Sequence, residues 1–149
     1  APRPHRSAGH ADINRRDAGL TLIELLVVLG ILALLATVAA PQVLRYLGKA
    51  RSETAKVQIN AISSALELYA LDNGGYPQPQ AGLAALMRPP AGAPRWQGPY
   101  LKKAEGLVDP WGRPYQYRVP GRAGPFEVFT LGRDNAPGGA GEDLDVSSN

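Results

Sequence analysis

Two groups of carboxylates in this 149-residue chain stand where an acid needs a reason. The first is a single residue, Glu24, at the head of a run from Leu25 to Ala40 that carries no charge. An acid near the centre of a membrane helix costs ~2.5–3.5 kcal/mol, and even near one end it asks for a cationic partner. The second group is Asp134, Glu142, Asp143 and Asp145, in a final stretch (residues 134–149) with no Lys or Arg. Carboxylates this close repel one another unless a cation intervenes. Calcium takes several oxygen ligands at once from flexible loops, and it would order the segment. Asp143 and Asp145, two residues apart, could close with the distant Asp134 on one ion. The spacing is not that of an EF-hand. The same composition also fits a solvated, mobile tail.

Other chemistries lack their residues. There is no cysteine, which removes disulfides, thiol catalysis and Cys-ligated zinc. The histidines are His5 and His10, both in the first ten residues. No nucleophile–His–acid set and no phosphate-binding loop is present, so the chain is not read as an enzyme. Charge is uneven. Residues 44–133 hold twelve Lys or Arg against six acids, but aromatic residues are too sparsely interleaved with them to point to nucleic acid.

These acids must be held by larger elements. Leu20 to Val43 spans 24 residues, or roughly 36 Å of helix at ~1.5 Å per residue, enough to cross a hydrocarbon core of ~30 Å. A cleaved signal peptide, with Arg15 and Arg16 as its basic region and Val38-Ala39-Ala40 at the cut, is one reading. A plain signal anchor is another. Both leave Glu24 without a purpose. Pro41 has no N–H to donate and predicts a kink or local melting near Val38–Pro41. Beyond it Ala55, Ile59, Ile62, Leu66 and Tyr69 recur every three or four residues, the buried stripe of an amphipathic helix. Arg45, Lys49, Arg51, Lys56 and Glu67 fall off that stripe. Asp72-Asn73-Gly74-Gly75 should end the helix, so one helix is expected from about Leu22 to about Leu71. Gln80–Met87 reads as a short helical stretch. Tyr115–Val119 and Phe126–Leu131 read as antiparallel strands packed on the stripe. The fold class is therefore α+β: a long N-terminal helix, apolar and then amphipathic, on a small antiparallel sheet with long loops.

The string Gly19-Leu20-Thr21-Leu22-Ile23-Glu24, followed by the apolar run, resembles the processing signal of type IV pilins and pseudopilins. The resemblance implies that a prepilin peptidase cuts between Gly19 and Leu20 and that the new N-terminus is methylated. Residues 1–19 become a leader, 20–43 a transmembrane and filament-core helix, and 44–149 a periplasmic domain. Arg15 and Arg16 hold the leader in the cytoplasm by the positive-inside rule. Glu24 is then expected to pair with the freed amino group of Leu20 on a neighbouring subunit, two costly groups becoming less so together. Pro41 falls where many members of the superfamily also carry proline.

The block Val108-Asp109-Pro110-Trp111-Gly112-Arg113-Pro114-Tyr115-Gln116-Tyr117 narrows this. With Leu71-Asp72-Asn73-Gly74-Gly75-Tyr76-Pro77, Gly82-Leu83-Ala84-Ala85-Leu86 and Gly124-Pro125-Phe126, it resembles the major pseudopilins of type II secretion systems, the general secretion pathway protein G family. The block itself reads as structure, with Asp109-Pro110 starting a turn, Gly112 permitting it and Trp111 filling the core. The family implies a type IV pilin-like fold and a calcium ion in loop 131–146. By that resemblance the ligands are Asp134, Asp143 and Asp145, with the Leu131 carbonyl as a further donor and Glu142 as a weaker one. It implies a structural subunit that polymerises with itself into a periplasmic pseudopilus and helps drive folded proteins through the outer-membrane secretin. The implied partners are minor pseudopilins, an inner-membrane assembly platform and the prepilin peptidase, with no nucleic acid. The alternatives are a type IV pilin of a surface fibre, against which the missing cysteines speak, or a minor tip pseudopilin.

Overall fold

The computed structural model describes residues 21–149 together with Pro2. Gly19 and Leu20, the expected processing pair, and Arg15 and Arg16 lie outside the described residues. The chain divides into two compact units between Ala40 and Pro41.

In the first unit, helix α1 (Leu22–Asn73) begins with a reciprocal cap. The Thr21 backbone N–H donates to Glu24 Oε2 at 3.1 Å, and the Glu24 N–H donates to Thr21 Oγ1 at 3.3 Å. This Thr-x-x-Glu capping box satisfies two of the donors that every helix start leaves open. From Leu22 to Ala40 every residue is exposed, including Leu25, Val28, Ile31 and Leu35. The helix contains a window long and apolar enough to cross a membrane, with mean hydropathy 2.7 and nothing in it buried.

Pro41 lies inside α1, and residues 38–41 are helical. The expected local melting is absent. Proline there loses the bond to the Thr37 carbonyl and crowds it, but helix formers on both sides, Ala39 and Ala40 before and Gln42, Leu44 and Arg45 after, keep the helix intact.

In the second unit, Gly48, Ala55, Ile59, Ile62, Ala65, Leu66 and Tyr69 are the buried residues of α1. All five stripe residues named from the spacing are among them. They meet Leu83, Leu86, Tyr115, Phe126, Val128 and Val146 in one apolar core. The helix stops where Gly74 takes a positive φ of 79°. Gly82–Leu86 is a short 3₁₀ turn that brings Leu83 and Leu86 inward. Three antiparallel strands follow: β1 (Gln116–Arg118), β2 (Glu127–Thr130) and β3 (Val146–Ser147), in spatial order β1-β2-β3. Tyr117 pairs with Val128, and Thr130 with Val146. The first two strands match expectation. The third starts at Val146, the last residue of the expected ion loop, and two residues of strand give no period to detect.

Candidate functional site

The turn that precedes β1 is built on Asp109, which is only 5% exposed. Its Oδ1 accepts from the backbone N–H groups of Trp111 and Arg113 at 3.0 and 2.9 Å, and its Oδ2 accepts from the Thr130 hydroxyl. A buried carboxylate holding three donors fixes the turn against β2. Trp111, expected in the core, is partly buried and packs against its edge. Its indole N–H donates to Glu142 Oε1 at 2.9 Å. The DPWG block thus aims a donor at the C-terminal loop, a role that its core-filling reading did not anticipate.

Glu142 gathers the contacts there. Besides Trp111 it accepts from Arg51 Nη1 of α1 at 2.9 Å, and Arg133 Nη1 lies 3.5 Å from Oε2. Its side chain is only 12% exposed. The Trp111 and Arg51 bonds hold its carboxyl below the usual glutamate value. It seats over Gly48, where a Cβ would stand 2.9 Å from Glu142 Oε2. One carboxylate therefore ties helix, DPWG turn and C-terminal loop together. The sequence signal for it was a buried glycine on the helix, which the apolar spacing could not show.

The loop closes on itself as well. The Arg133 N–H donates to the Glu142 carbonyl at 3.0 Å. Gly132 (φ 70°) and Gly139 (φ 89°) pass so near the backbone of Asp143 that any Cβ would collide with it. Both positions therefore need glycine twice over, for conformation and for room.

The residues expected as ligands have the following partners in the structure. Arg133 Nε and Nη2 form a bidentate pair with Asp143 at 2.8 and 2.9 Å. The pair raises the Arg133 pKa further. Asp134 Oδ1 accepts the Ala136 N–H at 3.1 Å. Asp145 Oδ2 accepts the Gly138 N–H at 3.0 Å, while its Oδ1 is buried with no partner. Among the described residues, no group of three His, Cys, Asp or Glu converges as a metal site. The arginine beside Asp134 supplies the positive charge that the acids require, and it does so at Asp143. The orphaned Asp145 oxygen is the one feature that still fits a hard cation, because a buried oxygen without a donor is costly. Glu142, the weaker candidate, is fully engaged by Trp111 and two arginines.

The family described as "Type II secretion system (T2SS), protein G" matches residues 42–149, and the "Prokaryotic N-terminal methylation motif" matches residues 14–40. The chain is 46% identical over 138 residues to the type II secretion system core protein G of Pseudomonas aeruginosa, covering 90% of this chain and 96% of that one. It is 41% identical over 137 residues to the same protein of Vibrio cholerae, covering 90% and 92%. The crystal structure of the major pseudopilin from the type 2 secretion system of enterohaemorrhagic Escherichia coli superposes with a TM-score of 0.55 at 33% identity. That match covers 67% of this chain and 87% of that one.

Proposed function

The chain belongs to the type II secretion system protein G family, and on that premise we propose that it is the subunit of a periplasmic pseudopilus that helps to export folded proteins. The observation that carries this is the exposed apolar half of α1, in a chain whose remaining residues match the protein G family. Such a surface must be covered either by a bilayer or by other apolar surfaces. Before assembly the segment anchors the chain in the inner membrane, with residues 44–149 in the periplasm. In the filament, copies of it stack as a heterologous contact that does not close on itself.

Cleavage between Gly19 and Leu20, followed by methylation, frees an amino group to pair with Glu24 of a neighbouring copy. Glu24 caps its own helix in the single chain, so the pairing adds a second use to the same carboxylate. The partners at the base and tip are an inner-membrane platform and minor pseudopilins. The match to the methylation motif supports processing by a prepilin peptidase.

Calcium in the C-terminal loop belongs to this reading. Asp145, Asp134 and the Leu131 carbonyl would hold it, and Asp143 could join only on leaving Arg133. When bound, the ion supplies a hard positive centre that draws carboxylate and carbonyl oxygens together.

Mass spectrometry of the chain recovered from membranes tests the central claim. An N-methylated Leu20 start is expected. A start at Pro41, the product of an ordinary signal peptidase, would refute the claim. Thermal melts separately test the ion. Calcium at ~0.1–1 mM, the range of many extracellular sites, should raise the midpoint, and a chelator should lower it. Identical melts under both conditions would remove calcium from the proposal.

A further inference from the structure

Of the bases that follow the apolar run, Arg51 is held by Glu142 and Lys56 by Glu53, whereas Arg45 and Lys49 have no part in the contacts described so far. Arg45, Lys49, Arg51 and Lys56 face one acid, Glu53, over the first turns after Val43. The positive-inside rule accounts for arginines on the leader side of a span, and it gives no reason for a cluster on the other side.

These residues border a groove of about 1130 Å³ between α1 and the C-terminal segment. Leu44, Leu47 and Leu144 line it and remain exposed. Arg45 and Lys49, one helical turn apart, stand on the same side of the helix. Among the described residues neither has an ion-pair partner, whereas Lys56 pairs with Glu53, and Arg51 and Arg133 with Glu142. The acids at the groove are Glu142 and Asp145. The first is matched by its two arginines. The second has one oxygen on the Gly138 N–H and the other buried.

Charge and depth together point to an occupant. At ~1.5 Å per residue, Arg45 and Lys49 lie roughly 3 and 9 Å past Val43 along the helix. The polar layer on each side of a hydrocarbon core is about 5–8 Å thick. Arg45 falls within that layer and Lys49 at its outer edge, and two free cations beside three exposed leucines match a ligand with an anionic head and an apolar tail. We propose that this groove holds an anionic phospholipid, with Arg45 and Lys49 on its phosphate and Leu44, Leu47 and Leu144 against the start of its acyl chains. The inference rests on the membrane-anchored reading given above. The bound lipid adds to the hold of the leaflet on the unassembled subunit.

Native mass spectrometry of the full processed chain, released from nanodiscs of phosphatidylglycerol or phosphatidylcholine, tests this. Phosphatidylglycerol adducts should exceed phosphatidylcholine adducts at least tenfold. They should fall at least fivefold in the double variant Arg45→Gln/Lys49→Gln, and also in Leu144→Asp, which leaves both bases in place. Lys102→Gln/Lys103→Gln, which removes two exposed bases away from the groove, should keep the parent pattern. Equal retention of the two lipids, or adducts unchanged in the double variant, would overturn the inference while sparing the anchoring. Displacement of the lipid by millimolar inorganic phosphate would mark a site for free phosphate and overturn it too. So would a double variant that loses filament cross-links yet keeps its lipid, which would seat a second copy in the groove. A chain that enters neither disc overturns the anchoring and the inference together.

Discussion

Residues 22–40 and residues 131–147 are held in opposite ways. The first stretch has its backbone bonds made within the helix and leaves every apolar side chain uncovered. The second has few apolar side chains, of which Val146 is buried, and is fastened by Arg133, Glu142, Asp145 and two close-packed glycines. The helical stretch is finished as secondary structure and unfinished as a surface. The loop is finished as a surface, with one oxygen of Asp145 left over. The helix therefore needs other molecules to complete it, whereas the loop needs at most one ion.

The sharpest way to break that contrast is Glu24→Gln. Glutamine serves a capping box as glutamate does, so the helix start survives while the charge is lost. The expected result is no pseudopilus, with processed subunit accumulating in the membrane, read by sheared-filament immunoblots. Normal filaments from Glu24→Gln would show that capping is the whole role of this residue. If Glu24→Ala polymerised normally while Glu24→Gln did not, the pairing would likewise be wrong.

Between the two stretches lies the core, where ordinary burial decides. Leu66 is fully buried, and Leu66→Ala should cost about 2–5 kcal/mol, the usual range for such a cavity. Chemical denaturation in detergent would measure it. A loss below 1 kcal/mol would mean that the stripe is not the core of the second unit.

The contrast also explains what could be read without coordinates. Ala55, Ile59, Ile62, Leu66 and Tyr69 were legible because burial repeats with the helix turn, and the hydrophobic effect acts on the whole face. The first two strands were legible from the alternation of Tyr115, Tyr117 and Val119 with polar residues and from the run Phe126–Leu131, although burial itself does not alternate along β2. Local chemistry was legible in kind only. The acids of the loop announced a cation, but not that a guanidinium from Arg133 would take Asp143. Arg133 and Asp143 are ten residues apart, and no period links them. The part Glu142 plays in fastening the loop has no local signal in the sequence. Its partners Arg51, Trp111 and Arg133 come from three separate parts of the chain, and only the fold brings them together. Thr21 and Glu24 stand three residues apart, the spacing of a capping box, while the same glutamate also calls for a partner in the membrane.

Glu142→Ala probes the fastening of the loop directly. It removes a little-exposed acceptor of one indole N–H and one strong guanidinium bond. Hydrogen bonds to charged groups contribute about 1.5–3 kcal/mol, and Arg51 is half exposed, which weakens its share. A loss of about 2 kcal/mol is expected, equal in calcium and in chelator, together with a shift in the tryptophan emission as Trp111 loses its partner. A loss confined to calcium-containing buffer would instead return Glu142 to the ligand set. Glu142→Gln keeps an acceptor for Trp111 and should recover about half of the loss.

Gly48→Ala tests the same fastening from the helix side, where two effects of similar size oppose each other. In a helix interior alanine is favoured over glycine by up to about 1 kcal/mol, which by itself would stabilise α1. The added Cβ would stand 2.9 Å from Glu142 Oε2 and 3.3 Å from its Cβ, so the whole side chain must move, not only its tip. Moving it stretches the bonds to Arg51 and Trp111 that Glu142→Ala removes outright. The expected net is a loss of about 1 kcal/mol, smaller than that of Glu142→Ala because the propensity gain offsets part of it. Combined with Glu142→Ala, the same substitution should change sign and stabilise, since no side chain is then left to displace. If Gly48→Ala remained destabilising in that double variant, the close approach of Glu142 would not be the reason for glycine at this position.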